Sequence, residues 1–149
     1  MSEIHLTDEA IQQIQALVIA WGTAHFKEFP WRTPSEPWHG LIGEILLQRT
    51  RANNVIPVYA AFLECFPTPP HLAAATVAEV EQVIYPLGLR WRAPLLQQLG
   101  VHLAELNGEI PRTLDEIMAL PGVGQYAAAA WLSFHGGGHS VLIDANIVR

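Results

Sequence analysis

Two carboxylates, one tyrosine and a glycine turn are the residues whose types and settings could carry chemistry. Glu44 lies in a stretch that is otherwise almost wholly apolar: Trp38, Leu41, Ile42, Ile45, Leu46 and Leu47. A carboxylate buried in such company is costly without a partner, and burial favours its protonated form. The same residue also reads as a helix-edge glutamate that reaches solvent or an arginine. Asp144 closes a second apolar run, Val141-Leu142-Ile143. Between the two acids stands Leu120-Pro121-Gly122-Val123-Gly124, a tight apolar turn that feeds an alanine-rich helix. Glycines let the backbone turn sharply and approach a partner closely. A turn entering a helix start aims several N–H groups at one point, where the helix dipole adds positive potential, so that point suits a phosphate. The same five residues also read as an ordinary helix–turn–helix corner. Tyr126 follows directly after the turn.

The elements that must position these residues are helices. Apolar residues at Ile11, Ile14, Leu17, Val18 and Trp21 keep helical spacing and predict a first helix from Thr7 to about Lys27. Phe29-Pro30-Trp31-Arg32 breaks it, and Pro37 suits the first turn of a second helix running to about Gln48. That helix is apolar on most sides, the mark of a buried one. A third is expected over about Ala52–Phe66 and a short fourth after Thr68. Thr76 with Glu79, and Thr113 with Glu116, have the spacing of capping boxes and open two more. A helix from about Arg92 to Leu106 stops at Asn107-Gly108, a left-handed C-cap. The helix after the glycine turn runs from about Gln125 to Phe134, before Gly136-Gly137-Gly138. No period-two pattern is convincing, so the fold class is all-α.

Size and composition bound what such a bundle can do. The 149 residues suffice for one domain with a real core, and 50% are hydrophobic. No apolar run reaches the roughly 18 residues of a membrane span, and no signal segment opens the chain. A cytoplasmic bacterial or archaeal protein with no membrane partner is expected. Cys65 is the only cysteine and reads as a buried core thiol. None of the seven histidines shows metal-ligand spacing, so they read as surface or core residues. The net charge of −6 opposes a large nonspecific nucleic-acid footprint. A local cluster would be needed instead, and Arg49, Arg51, Arg90 and Arg92 fall at turns.

Five stretches in order carry a resemblance: FPWR (29–32), GEILLQRT (43–50), FPTPPHLA (66–73), LPGVGQYAAAA (120–130) and IDANIVR (143–149). The chain resembles the helix-hairpin-helix DNA glycosylases: endonuclease III and the adenine and thymine mismatch glycosylases. The resemblance implies a six-helix bundle over 29–136, with the hairpin motif at 113–136. Residues 1–28 would be the N-terminal helix of a second lobe, and 137–149 a return segment carrying Asp144. It implies a monomer that extrudes a mispaired base from double-stranded DNA and cuts its N-glycosidic bond. Breaking that bond builds positive charge on the sugar and negative charge on the base. Asp144 matches the carboxylate that faces the sugar, and Glu44 matches an acid of the base pocket.

Tyr126 stands where bifunctional members carry a Schiff-base lysine, which implies hydrolysis without an efficient lyase step. Gly122, Val123 and Gly124 would present N–H groups to a phosphate, with a monovalent cation held by loop carbonyls. Gln48, Arg49 and Leu89 match positions that plug the gap left by the extruded base or touch its former partner. Trp31 would be a structural anchor of the cleft rather than a catalytic group. Leu89 and the DANIVR ending lean toward thymine or uracil opposite guanine; adenine opposite guanine or 8-oxoguanine stays open. Relatives continue past IDANIVR, usually with four cysteines for a 4Fe–4S cluster, so the chain reads as truncated and the face of its first helix as uncovered. A non-catalytic helix-hairpin-helix DNA-binding module is the alternative.

Overall fold

The computed structural model describes residues 6–142. Asp144, with the rest of 143–149, lies outside the described residues. Within them the chain forms eight α-helices and no strand.

The second helix, α2 (Pro37–Leu47), is the one around which the site is built. Pro37 occupies its first turn, where a missing N–H costs nothing. Eight of its eleven residues are buried, with Leu41, Ile42 and Leu46 wholly so. Each such side chain contributes about 1.5–3 kcal/mol on burial. α2 packs against α3 (Ala52–Cys65) on one side and α8 (Gln125–Phe134) on another. Trp131 of α8 donates its indole N–H to the Pro37 carbonyl at 2.9 Å, which pins the register of the two helices.

The other side of the bundle is organised by α6 (Ala93–Glu105), whose buried Leu96, Leu99 and Leu103 lie one helical turn apart. It packs against α4 (Pro69–Ala74) and α5 (Val77–Ile84). Thr76 and Glu79 form the expected reciprocal box at the start of α5, with Thr76 N–H donating to Glu79 Oε2 at 2.7 Å. α6 ends on Asn107 and Gly108, at φ +57° and +81°, as the Asn-Gly pair predicts. The second box is only half made: Thr113 caps α7 (Leu114–Met118) through the Glu116 N–H at 3.4 Å. The Glu116 carboxylate takes the Thr113 hydroxyl at 2.6 Å instead of its backbone N–H.

One expectation about a single residue changes. Cys65 is exposed, not a core thiol. The inner stripe of α3 runs Val55, Val58, Tyr59, Phe62 and then reaches Phe66, just past the helix, which leaves Cys65 turned outward. The first helix, α1 (Asp8–Ala24), forms with Thr7 as its N-cap, but none of its residues is buried. Leu17, Val18 and Trp21 remain 71%, 62% and 66% exposed, as the uncovered-face reading expects.

Candidate active site

Glu44 projects from the third turn of α2 into a cleft of about 370 Å³. Around it stand Trp31 and Arg32 of the linker, Leu47 of α2, Tyr126 and Phe134 of α8, Phe26, and His135 just past α8. Glu44 is 8% exposed, and among the described residues no arginine forms an ion pair with it. The nearest base is His135, whose Nε2 lies 3.8 Å from Glu44 Oε1. A second hollow of about 590 Å³ shares Glu44, Leu47 and Tyr126, and adds Gln48, Arg49 and Arg51. The fold therefore brings Glu44, Tyr126, Gln48 and Arg49 to one side of the molecule.

Each wall has a local cause. Trp31 is 3% exposed, stacks on Phe29 at 4.9 Å between ring centroids and meets Tyr59 edge-on at 5.7 Å. It is a packed anchor of the cleft. Tyr59 donates its hydroxyl to the His39 carbonyl of α2 at 3.1 Å, and burial pushes its phenol up to about 12. Ala127 to Ala130 are all buried, and their small side chains let α8 lie close on α2. Tyr126, on the outward side of the same helix, is 44% exposed at the cleft mouth.

The loop after α2 is held by Arg92. This arginine is 3% exposed and donates to the carbonyls of Ile45 (3.3 Å), Leu46 (3.5 Å) and Gln48. They lie at the end of α2, where backbone carbonyls run out of intrahelical donors; the Ile45 carbonyl also accepts the Gln48 N–H at 3.2 Å. Burial, and then the positive charge of Arg49, hold the Arg92 guanidinium below its ordinary range. Arg92 thus leaves the expected surface cluster because its charge is spent inside, on the helix end. Arg90 pairs with Glu81. Arg49 and Arg51 remain exposed beside the second hollow. Arg49 itself adopts φ +58°, a conformation that costs a non-glycine residue about 1–3 kcal/mol.

The glycine turn joins this loop. Gln48 Nε2 donates to the Gly122 carbonyl at 3.2 Å, so the end of α2 and the hairpin form one surface. Gly122 is at φ +75°, which favours glycine. Val123 is buried at 7% exposure, and its N–H donates to the Leu120 carbonyl at 3.1 Å. Gly124 is the N-cap of α8 and, being glycine, brings no side chain to the helix start.

Residues 42–147 match the model of the HhH-GPD superfamily of base excision DNA repair proteins. The chain belongs to this superfamily. It is 40% identical to a thymine/uracil-DNA glycosylase of Pyrobaculum aerophilum, over 83% of this chain and 54% of that one. It is 34% identical to an adenine DNA glycosylase of Mycolicibacterium smegmatis, over 89% of this chain and 46% of that one. The solved structure of a thermostable thymine-DNA glycosylase superposes with a TM-score of 0.84 at 30% identity, covering 91% of this chain and 63% of that one. The chain thus spans about half the length of these curated relatives.

For an HhH-GPD chain the remaining residues fall as follows. Leu89 is half-buried in the turn before α6, and its carbonyl accepts from the Arg92 N–H at 3.0 Å. That places the Leu89 turn beside the Gln48–Arg49 loop through Arg92. A 4Fe–4S cluster needs four thiolates, and one exposed cysteine does not fit it. Among the described residues no cluster of His, Cys, Asp or Glu is arranged for a metal ion. The Leu120 carbonyl accepts from the Val123 N–H and the Gly122 carbonyl from Gln48 Nε2. Among the described residues no helix is long and apolar enough to cross a membrane. His135 and Arg32 are the cleft residues that sequence reasoning missed; Arg32 stood in the FPWR motif, while His135 had only its place at the end of α8.

Proposed function

We propose that this chain carries the base pocket of a DNA glycosylase that removes a mispaired base by hydrolysis, with thymine or uracil opposite guanine as the favoured substrate. The observation that supports it is a buried carboxylate, Glu44, sharing a base-sized cleft with Tyr126. An extruded base would lie between Trp31, Leu47 and Tyr126, with Glu44 against its polar edge. As C1′–N breaks, the electron pair goes to the base, and Glu44 donates a proton or hydrogen bond to it. Water supplies hydroxide to C1′ and its remaining proton passes to Asp144 and on to solvent; Asp144 would also stabilise the cationic sugar. The start of α8 and the Gly122–Gly124 turn would grip a phosphate beside the lesion, with a monovalent cation on the turn carbonyls. Gln48, Arg49 and Leu89 would fill the gap and touch the opposite base. The chain is expected to act as a monomer on double-stranded DNA. Its only lysine, Lys27, does not line the cleft, so strand scission through a Schiff base is not expected.

The test is base release from T·G, U·G, A·G and A·8-oxoguanine duplexes, read with and without alkali. The reading expects cleavage at T·G or U·G after alkali only, lost in Glu44→Gln. Strand cutting without alkali, trapped by borohydride on a lysine, would sink the hydrolytic assignment. Duplex binding with no base released from any substrate would assign a binding module instead.

A further inference from the structure

His135 is not used by that reaction scheme, yet it is tightly held in the cleft. Its side chain is 5% exposed, and its Nε2 is buried with no hydrogen-bond partner. A buried polar atom of this kind is uncommon and calls for an explanation. The atom lies 3.8 Å from Glu44 Oε1, too long for a hydrogen bond and short enough to become one after a small swing. Space for the ring comes from Gly40, one turn before Glu44 on the same face of α2. A Cβ at Gly40 would stand 2.7 Å from two ring atoms of His135. His135 also lines two hollows. One is the base cleft, with Glu44, Tyr126 and Arg32. The other is a groove of about 680 Å³, whose charged residues are Glu36, Glu109 and Arg112.

From this geometry we infer that His135 is a positioning residue and proton partner of Glu44, passing protons between that groove and the base cleft. The inference takes its consequence from the glycosylase reading. When Glu44 has given its proton to the leaving base, imidazolium Nε2–H returns one to the carboxylate. The neutral ring then takes a proton from water in the groove. Protons balance, and no bond to carbon is involved. Imidazole suits the task because its two ring nitrogens can each take or give a proton.

Two measurements test it on the full chain. The first is single-turnover base release across pH 5–9 for the parent, His135→Gln and His135→Ala, with melting temperatures alongside. His135→Ala should slow release by about tenfold or more. His135→Gln keeps a donor and should recover part of the rate, but neither variant should keep the parent's pH dependence. Equal rates, or slowed rates with the parent's pH profile intact, overturn the relay. The second is the imidazole ¹⁵N spectrum of parent and Glu44→Gln. A His135 proton on Nε2, displaced when Glu44 is replaced, supports the pair; an unchanged resonance overturns it. If the parent releases no base while the spectra show the pair, the glycosylase reading falls and the pairing stands.

Discussion

Gly40→Ala is the sharpest test of how the cleft is built, because two opposing effects act at one atom. In the interior of a helix, alanine is favoured over glycine by about 1 kcal/mol. Gly40 lies in the middle of the bundle's most buried helix, so that gain should appear if nothing else changes. The added Cβ, however, would sit 2.7 Å from Cγ and Cδ2 of His135 and 3.1 Å from Nδ1. The ring must move outward by most of an ångström, and overpacking of this kind costs about 1–3 kcal/mol. Gly40→Ala should therefore be neutral or destabilising by up to about 2 kcal/mol when His135 is present. In a His135→Ala background the nearest obstacle is gone, and the same substitution should stabilise by about 1 kcal/mol.

The assay is urea denaturation of the four proteins of the cycle. The coupling between the two positions should come out at about 1–3 kcal/mol, as for residues in direct contact. Base release should fall in Gly40→Ala, because the displaced ring carries Nε2 away from Glu44. If Gly40→Ala stabilises both backgrounds alike, the ring does not occupy the space above Gly40 and the account of the cleft is wrong.

Other substitutions probe the frame. Arg92→Met removes the donors that cap α2 and should destabilise by about 2–4 kcal/mol; Arg92→Lys should fall between, since one ammonium cannot span three carbonyls. Chemical denaturation checks both, and a loss below about 0.5 kcal/mol would refute the cap. Stability should be flat in the middle of the pH range and decline at both ends. At the acid end, the Thr76 N–H and hydroxyl hold Glu79 below the usual carboxylate range, so its contribution is present above the unfolded value and lost as pH falls through the folded one. At the alkaline end, Tyr59 is raised to about 12, so the unfolded chain ionises first and about 2–3 kcal/mol is lost between pH 10 and 12. Glu79→Gln should remove the acid limb and Tyr59→Phe the alkaline one, measured by denaturation over a pH series. Cys65 should react stoichiometrically with a thiol reagent in native buffer; protection equal to that of a core thiol would contradict its exposed position.

What could be read from the sequence is what leaves a local mark. Thr7, Thr76, Thr113 and the Asn107-Gly108 pair punctuate helices by their own side-chain or backbone preferences, and the helices begin and end beside them. Glu44 stands out because a charge in an apolar run is rare, and the glycine turn because few other sequences turn so tightly. What could not be read depends on contacts across the chain. Arg92 has the composition of a surface cation, and only its distance to the α2 carbonyls shows an internal cap. Cys65 differs from Phe66 by one position, and the α3 stripe decides which of them faces in.

His135 is the most instructive of these, because a trace of it was present at another residue. Gly40 and Glu44 are four apart, so they share a face of α2, and a glycine there leaves a hole beside the carboxylate. A buried helix does not keep such a hole empty, since interiors are close-packed. Whatever fills it must touch Glu44. The indole of Trp131 on the Pro37 carbonyl fixes which part of the α8 end arrives there, and one turn further along both helices that residue is His135. The glycine therefore signals a partner for the acid, while the register of α8 on α2 determines which residue it is. The first can be read along the chain; the second exists only once the helices are docked.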